Sequence, residues 1–203
     1  MKIEDRSLKI EEQHNEIKKS PFKGDLEGLH KDIKQSLRLL MNGVTAQSLR
    51  EKGMDYHLNW GANLLHLREM AMDYEPTKEL AELLWNDDIR ECKILATILM
   101  PSKDFTYDLA KTWISNTHTQ EIAEIASKYL YSKLPYAKDL AFCLLDESSD
   151  ISMLHAFCIL GTLNNLSEDE INRATIKAKA TIDDLTLPMG VRHVAYNMLS
   201  RIK

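Results

Sequence analysis

The stretch PYAKDLAFCLLDESSDISMLHAFCILGTL, residues 135–163, decides the fold. Pro135 suits a first helical turn, where its missing N–H is no loss. Ala137, Leu140, Ala141, Leu144 and Leu145 then recur on one face of a helix. Asp150 is placed to cap a second helix, Ile151 to about Leu163, which is apolar nearly all round and is predicted to be the most buried of all. Two such helices on a short link cannot bury their apolar faces alone; they need neighbours of the same kind.

Neighbours follow on both sides. Toward the C-terminus, Ser167-x-x-Glu170 reads as a capping box for a helix through Ala178 to Ile182. Thr186 and Pro188 open a last helix carrying Val191, Val194, Ala195, Met198, Leu199 and Ile202. Toward the N-terminus, Thr117-x-x-Gln120 reads as another capping box, opening a helix with Ile122, Ile125, Ala126, Tyr129 and Leu130 at helical spacing. Before it come a helix from about Lys103 to Ser115, a break at Pro101-Ser102, and a helix with Ile89, Cys92, Ala96 and Leu99 capped by Asp87 or Asp88. Pro76 starts a helix with Leu80, Leu83 and Leu84 that ends near Asn86. Earlier still are Leu64 to Ala71 after Trp60-Gly61, a short helix from Thr45 to Lys52 stopped at Gly53, and a helix from Asp25 with Leu29, Ile33, Leu37 and Leu40 ended by Asn42-Gly43.

Short-linked helix pairs thus recur roughly every 30 to 35 residues, the mark of an α-solenoid. The period is close to the tetratricopeptide length, but the Trp/Leu-Gly/Tyr signature of that class is absent. The expected organisation is an arm over residues 1–24, flexible or loosely docked, and a single all-α helical-repeat domain of stacked antiparallel pairs over 25–203.

Composition agrees. The 203 residues are 44% hydrophobic and 28% charged, enough for a sizeable core. Seven Gly and five Pro are few breakers, which favours long helices over turn-dense β classes. No window approaches the roughly 18 consecutive apolar residues of a membrane span, and Met1 to Lys23 lacks the apolar segment of a secretory signal. Cys92, Cys143 and Cys158 form no CxxC, and each sits in an apolar helical stretch; they read as small buried hydrophobes in a reducing cytoplasm. There is no GxGxxG, P-loop, HExxH or EF-hand. His66-x-x-Glu69 and Glu121-x-x-Glu124 read as solvated faces rather than metal ligands, because no second ligand pair matches them. His155, alone among the histidines inside a strongly apolar helix, reads as a core residue. No metal and no cofactor are expected.

One region is more specific. Asn59-Trp60-Gly61-Ala62-Asn63-Leu64-Leu65-His66-Leu67-Arg68-Glu69-Met70-Ala71 is followed by Leu80-Ala81-Glu82-Leu83-Leu84-Trp85 and then Ile89-Arg90-Glu91-Cys92-Lys93-Ile94-Leu95-Ala96. In order and spacing this resembles the DNA alkylation repair family, the HEAT-like-repeat alkylpurine DNA glycosylases. The resemblance covers Gly53 to Lys203 and is clearest between Trp60 and Leu99. It implies a HEAT-like α-solenoid that holds duplex DNA on a concave face and releases purines alkylated at N3 or N7. An alkylated purine already carries positive charge and leaves without a strong general acid. What such a site needs is a carboxylate and aromatic faces for the cationic lesion and sugar, and Arg or Lys for the flanking phosphates.

Carried over position by position, the family's Trp-Asp-x-x-Asp segment falls on Gln120-Glu121-Ile122-Ala123-Glu124, so the aromatic becomes Gln120 and the catalytic carboxylate becomes Glu124. An extra methylene moves that carboxylate by more than an ångström, a misplacement that can cost about 100-fold. The family's Phe-x-x-Arg falls on Tyr136-Ala137-Lys138-Asp139, and its Trp-x-x-Arg on Tyr196-Asn197-Met198-Leu199; both Arg are lost. The resemblance therefore implies Glu124 as the only candidate catalytic carboxylate, and Lys128, Lys138, Arg192, Tyr196 and Arg201 as candidate DNA contacts. Basic residues do gather near the C-terminus (Arg173, Lys177, Lys179, Arg192, Arg201, Lys203), diluted by Asp183 and Asp184.

Two functions stay open on the sequence. The first is a divergent or inactive relative of the alkylpurine glycosylases, a monomer binding damaged or unusual duplex DNA. The second is a non-enzymatic helical scaffold for a protein or peptide, which the net charge of −5 and the missing Arg residues favour.

Overall fold

The computed structural model describes residues 25–54, 56–117, 119–147 and 149–202. The arm expected over residues 1–24 lies outside them. The chain is all-α: among the described residues there are eleven α-helices and two short 3₁₀ turns, and no strand beyond one isolated bridge between Leu58 and Ile89. The helices are α1 Leu26–Leu39, α2 Gly43–Glu51, α3 Leu64–Ala71, α4 Lys78–Asn86, α5 Arg90–Leu99, α6 Tyr107–Ser115, α7 Gln120–Tyr129, α8 Ala137–Asp146, α9 Asp150–Leu160, α10 Glu168–Asp183 and α11 Met189–Arg201. The described residues group into two compact units, one running up to Leu49 and including His57–Leu99, the other Arg50–Tyr56 with the residues from Met100 onward.

In the first unit α4 and α5 form the main pair, α3 packs on α5, and α1 packs on α4. The periodic Leu29, Ile33 and Leu37 of α1 are all buried, each such side chain contributing about 1.5–3 kcal/mol on leaving water. Asp87 does not cap α5. It ends α4 and accepts hydrogen bonds from His30 Nε2 and, at 3.3 Å, from Lys34 Nζ. Thr77, not Pro76, opens α4, its hydroxyl accepting from Leu80 N.

A second tie in this unit is made by Glu91, which is fully buried. Its Oε1 accepts from Gly61 N at 3.0 Å, Ala62 N at 3.2 Å and Arg90 Nη1 at 2.8 Å; its Oε2 accepts from Trp60 N at 3.2 Å. Arg90 Nη1 also donates to Ala62 O at 2.9 Å. The Trp60-Gly61-Ala62 turn is thereby fixed on the first turn of α5. Gly61 has φ 76°, and a Cβ there would lie 2.1 Å from Asn42 O and 2.7 Å from Ala46 N. Only glycine fits both the backbone conformation and the contact.

In the second unit α8 pairs with α9 and α10 with α11. The α9 helix is surrounded by α6, α7, α8 and α11, which explains why Ser152 through Leu160 are all buried and why the sequence is apolar all round there. The unit also carries an aromatic cluster, with Phe105 4.9 Å from Trp113 and 6.0 Å from Tyr131 between ring centroids, and Tyr131 6.0 Å from the buried His155 ring.

Three local expectations change. The helix expected from Lys103 is a 3₁₀ turn, Ser102–Asp104, and α6 starts only after Thr106 caps it. Thr117 forms no capping box: its hydroxyl turns back to Trp113 O at 2.8 Å, and α7 begins at Gln120 itself. Ser149 rather than Asp150 precedes α9, without a side-chain cap. The Ser167–Glu170 capping box is present with both of its bonds. Cys92 and Cys158 are buried as expected, but Cys143 faces solvent.

Candidate nucleic-acid interface

Residues spaced by four share a helix face, so Gln120, Glu124 and Lys128 form one row along α7. Ile122, Ile125 and Ala126 are buried on the other side, which fixes that row outward. On α11, Val191, Val194, Ala195 and Met198 are buried, and His193, Tyr196 and Arg201 are left exposed.

Side-chain contacts bring the two rows together. Gln120 Nε2 donates to Glu124 Oε1 at 3.0 Å and lies 3.5 Å from His193 Nδ1. A Cβ added at Gly190 would reach Gln120 Oε1 at 3.6 Å, so the start of α11 passes close to the start of α7. Cys158 of α9 lies between them electrostatically. Burial pushes its thiol well above its ordinary value, the Glu124 carboxylate adds to that, and the Arg201 guanidinium opposes it. Half-buried Glu124 therefore belongs to one face with Gln120 and His193. Tyr196, 64% exposed, stands free of the core, and the exposed Lys128 ammonium lies 5.6 Å from the Tyr129 ring centroid.

The start of α7 is held from a second direction. Tyr56 OH donates to Glu121 Oε2 at 2.6 Å and accepts from Thr119 Oγ1 at 3.1 Å. Glu121 is thus a structural carboxylate. No group of three or more metal-ligating side chains occurs among the described residues.

The other candidates sit differently. Lys138 Nζ donates to Glu170 Oε2 at 2.9 Å and Asn165 O at 3.3 Å, tying α8 to the start of α10. Arg192 Nε donates to Ile182 O at 3.2 Å, tying α11 to the end of α10. Arg201 borders a depression of about 150 Å³ with Leu163, Asn164, Leu166, Ile171 and Ile202. Arg173 grips both Asp146 carboxylate oxygens at 2.6 Å. The C-terminal basic residues thus do not form one strip: Arg192 closes a helix end and Arg173 is ion-paired. Sequence reasoning missed His193 and the Tyr56 brace. The row 120/124/128 was legible from its spacing, but what faces it across two helices was not.

The family model described as DNA alkylation repair enzyme matches residues 33–184. Among solved structures, one described as "a new family of proteins related to the HEAT-like repeat DNA glycosylases with affinity for branched DNA structures" is similar to this chain. The two share 19% identity at a TM-score of 0.75, over 84% of this chain and 74% of that one. At that identity the likeness is one of fold, and it makes the helical pairs described above HEAT-like repeats. No curated protein matches the sequence. With the model spanning most of the chain, from α1 to just past the end of α10, this protein belongs to the DNA alkylation repair enzyme family.

Proposed function

We propose that this protein binds damaged or unusual duplex DNA, as a cytoplasmic monomer, through the α7–α11 face of its second unit, and that it releases alkylated bases poorly or not at all. The observation that carries the reading is the environment of Glu124. The carboxylate sits on the face that the family resemblance assigns to chemistry, but a side-chain amide, Gln120, bonds one of its oxygens. An amide offers no π face to a cationic lesion. Lys128 on the same helix and Tyr196 and Arg201 on α11 are exposed, two cations for phosphate and one ring for a base. The neighbouring fold with affinity for branched DNA supports the choice of distorted DNA as ligand.

The test is fluorescence anisotropy with labelled linear duplex, duplex with an abasic-site analogue, and a three-way junction, each at low and near-physiological salt. The expected result is salt-sensitive binding that is tighter to the distorted substrates, with base release from alkylated duplex little changed by Glu124→Gln. Rapid release abolished by Glu124→Gln would show an active glycosylase instead. No binding at low salt would overturn the DNA reading and leave the protein scaffold, which the net charge of −5 favours.

A further inference from the structure

Three polar side chains on the α7–α11 face meet at one nitrogen. Gln120 Nε2 donates to Glu124 Oε1 at 3.0 Å and lies 3.5 Å from His193 Nδ1. The amide is oriented this way because its own oxygen would meet the carboxylate as acceptor against acceptor. These contacts use one polar atom of each group and leave another open. Glu124 Oε2, Gln120 Oε1 and His193 Nε2 make no hydrogen bond or ion pair with another described residue. Gln120 and Glu124 are half-buried and His193 is exposed, so a ligand can reach all three. Toward Gln120, α11 presents Gly190, where an added Cβ would lie 3.6 Å from Gln120 Oε1; glycine leaves that oxygen uncovered from this side.

The open atoms have a definite polarity. Carboxylate and amide oxygens only accept. A neutral imidazole whose Nδ1 accepts carries its proton on Nε2 and donates there. The cluster therefore offers two acceptors and one donor. A phosphate only accepts; Glu124 repels it and one atom of the cluster matches it. A nucleobase edge matches better. Adenine and cytosine set an exocyclic amino group beside a ring nitrogen that accepts, and guanine sets its amino group and N1–H beside O6. Thymine has no amino group, only one N–H between two carbonyls. We infer that Gln120, Glu124 and His193 form a site for an unpaired base, held by an edge that carries an exocyclic amino group, and that thymine is the base it rejects. Tyr196 lies three positions beyond His193 on α11, hence beside it on the helix surface, and its exposed ring is one on which such a base stacks. This rests on the DNA-binding reading above and names what that face takes from distorted DNA. Phosphate contacts carry no base preference. The cluster adds one, and only where a base is unpaired, because pairing occupies that edge.

The test uses the full chain and a labelled duplex with one unpaired nucleotide, which is adenine, cytosine, guanine or thymine in turn. A further duplex carries unsubstituted purine there, which is adenine without its amino group. Fluorescence anisotropy gives each affinity. Wild-type protein is expected to bind the amino-bearing bulges about tenfold more tightly than the thymine and purine bulges. Glu124→Gln, its fold verified by circular dichroism, keeps the side chain's size. Its oxygen takes the bond from Gln120 and its NH₂ replaces the open acceptor, so the ratio is expected to fall to about twofold or less. A merely structural role for Glu124 would weaken every bulge alike and leave the ratio as it was. Tyr196→Ser is expected to weaken all the bulges by about tenfold without changing the ratio. Equal binding of the thymine and amino-bearing bulges, or of purine and adenine, overturns the base site and leaves the DNA reading standing. A ratio unchanged by Glu124→Gln overturns it too. Absence of any DNA binding by wild type overturns the base site together with the DNA reading.

Discussion

Glu91→Gln is the substitution whose effect the structure specifies most closely. The carboxylate of Glu91 accepts four hydrogen bonds, three on Oε1 from Gly61 N, Ala62 N and Arg90 Nη1 and one on Oε2 from Trp60 N. Glutamine matches its size but has one oxygen and one NH₂. If its oxygen keeps the three donors, its NH₂ meets the Trp60 N–H, donor against donor. That strands a buried amide at about 1–3 kcal/mol. Arg90, itself buried, also loses the charge that faced it, and breaking a buried pair from one side costs about 3–5 kcal/mol in all. For a chain of this length that lowers Tm by about 6–20 °C. Urea denaturation gives the global figure, and amide hydrogen exchange gives the location, with protection falling first at Trp60, Gly61 and Ala62. A variant destabilised by less than about 1 kcal/mol, with those amides still protected, would refute the assignment of Glu91 as the anchor of that turn.

Gly61→Ala forces a left-handed residue against Asn42 O, and is expected to cost at least about 2 kcal/mol in the same denaturation assay, from backbone strain and overlap together. Ser167→Ala removes the hydroxyl that accepts from Glu170 N and should cost about 1 kcal/mol. Lys111, first, and then Ser152 hold the Glu147 carboxyl below its ordinary value by hydrogen bonding. A depressed folded value means that the contribution is present above the ordinary carboxylate range and lost as pH falls through it. Lys111→Met should therefore lower stability slightly at neutral pH, leave it unchanged below the carboxylate range, and so flatten the acid limb of the stability–pH curve; the change is small because the pair is about one-third exposed. Lys128→Ala and Arg201→Ala should each lower the slope of log affinity against log salt by about 1, and a Lys138→Ala variant should not, since Lys138 is already held by Glu170.

Helix content was legible because burial imposes a period on the residues that must be buried. Leu29, Ile33 and Leu37 on α1, and the unbroken apolar run of α9, each point to one arrangement. Caps were legible only where the side chain had no better partner. Ser167 and Glu170 meet at a free helix start, so the motif forms. Thr117 lies next to the end of α6 and bonds Trp113 O instead, and Asp87 is drawn to His30 and Lys34 from a helix more than fifty positions earlier. Local pattern cannot rank a near partner against a distant one. The same limit applied to the interface. The spacing of Gln120, Glu124 and Lys128 was readable, whereas His193 arrives there only through the packing of α7, α9 and α11. Lys138 and Arg192 looked available in the sequence and prove to be fastened to helix ends.

The exchange of an aromatic residue for Gln120 links these features to a ligand. A flipped, positively charged base gains from a ring face and an unencumbered carboxylate, and the amide at this position supplies neither. Phosphate gains from cations that are free to meet it, and Lys128 and Arg201 are both exposed. Phosphate contacts fix position and carry no sequence information, so a face of this composition discriminates through the shape of the backbone and the cost of deforming it. That cost is smallest where the duplex is already interrupted. On this reading a change that removes the means of base excision leaves, and even sharpens, a preference for distorted DNA.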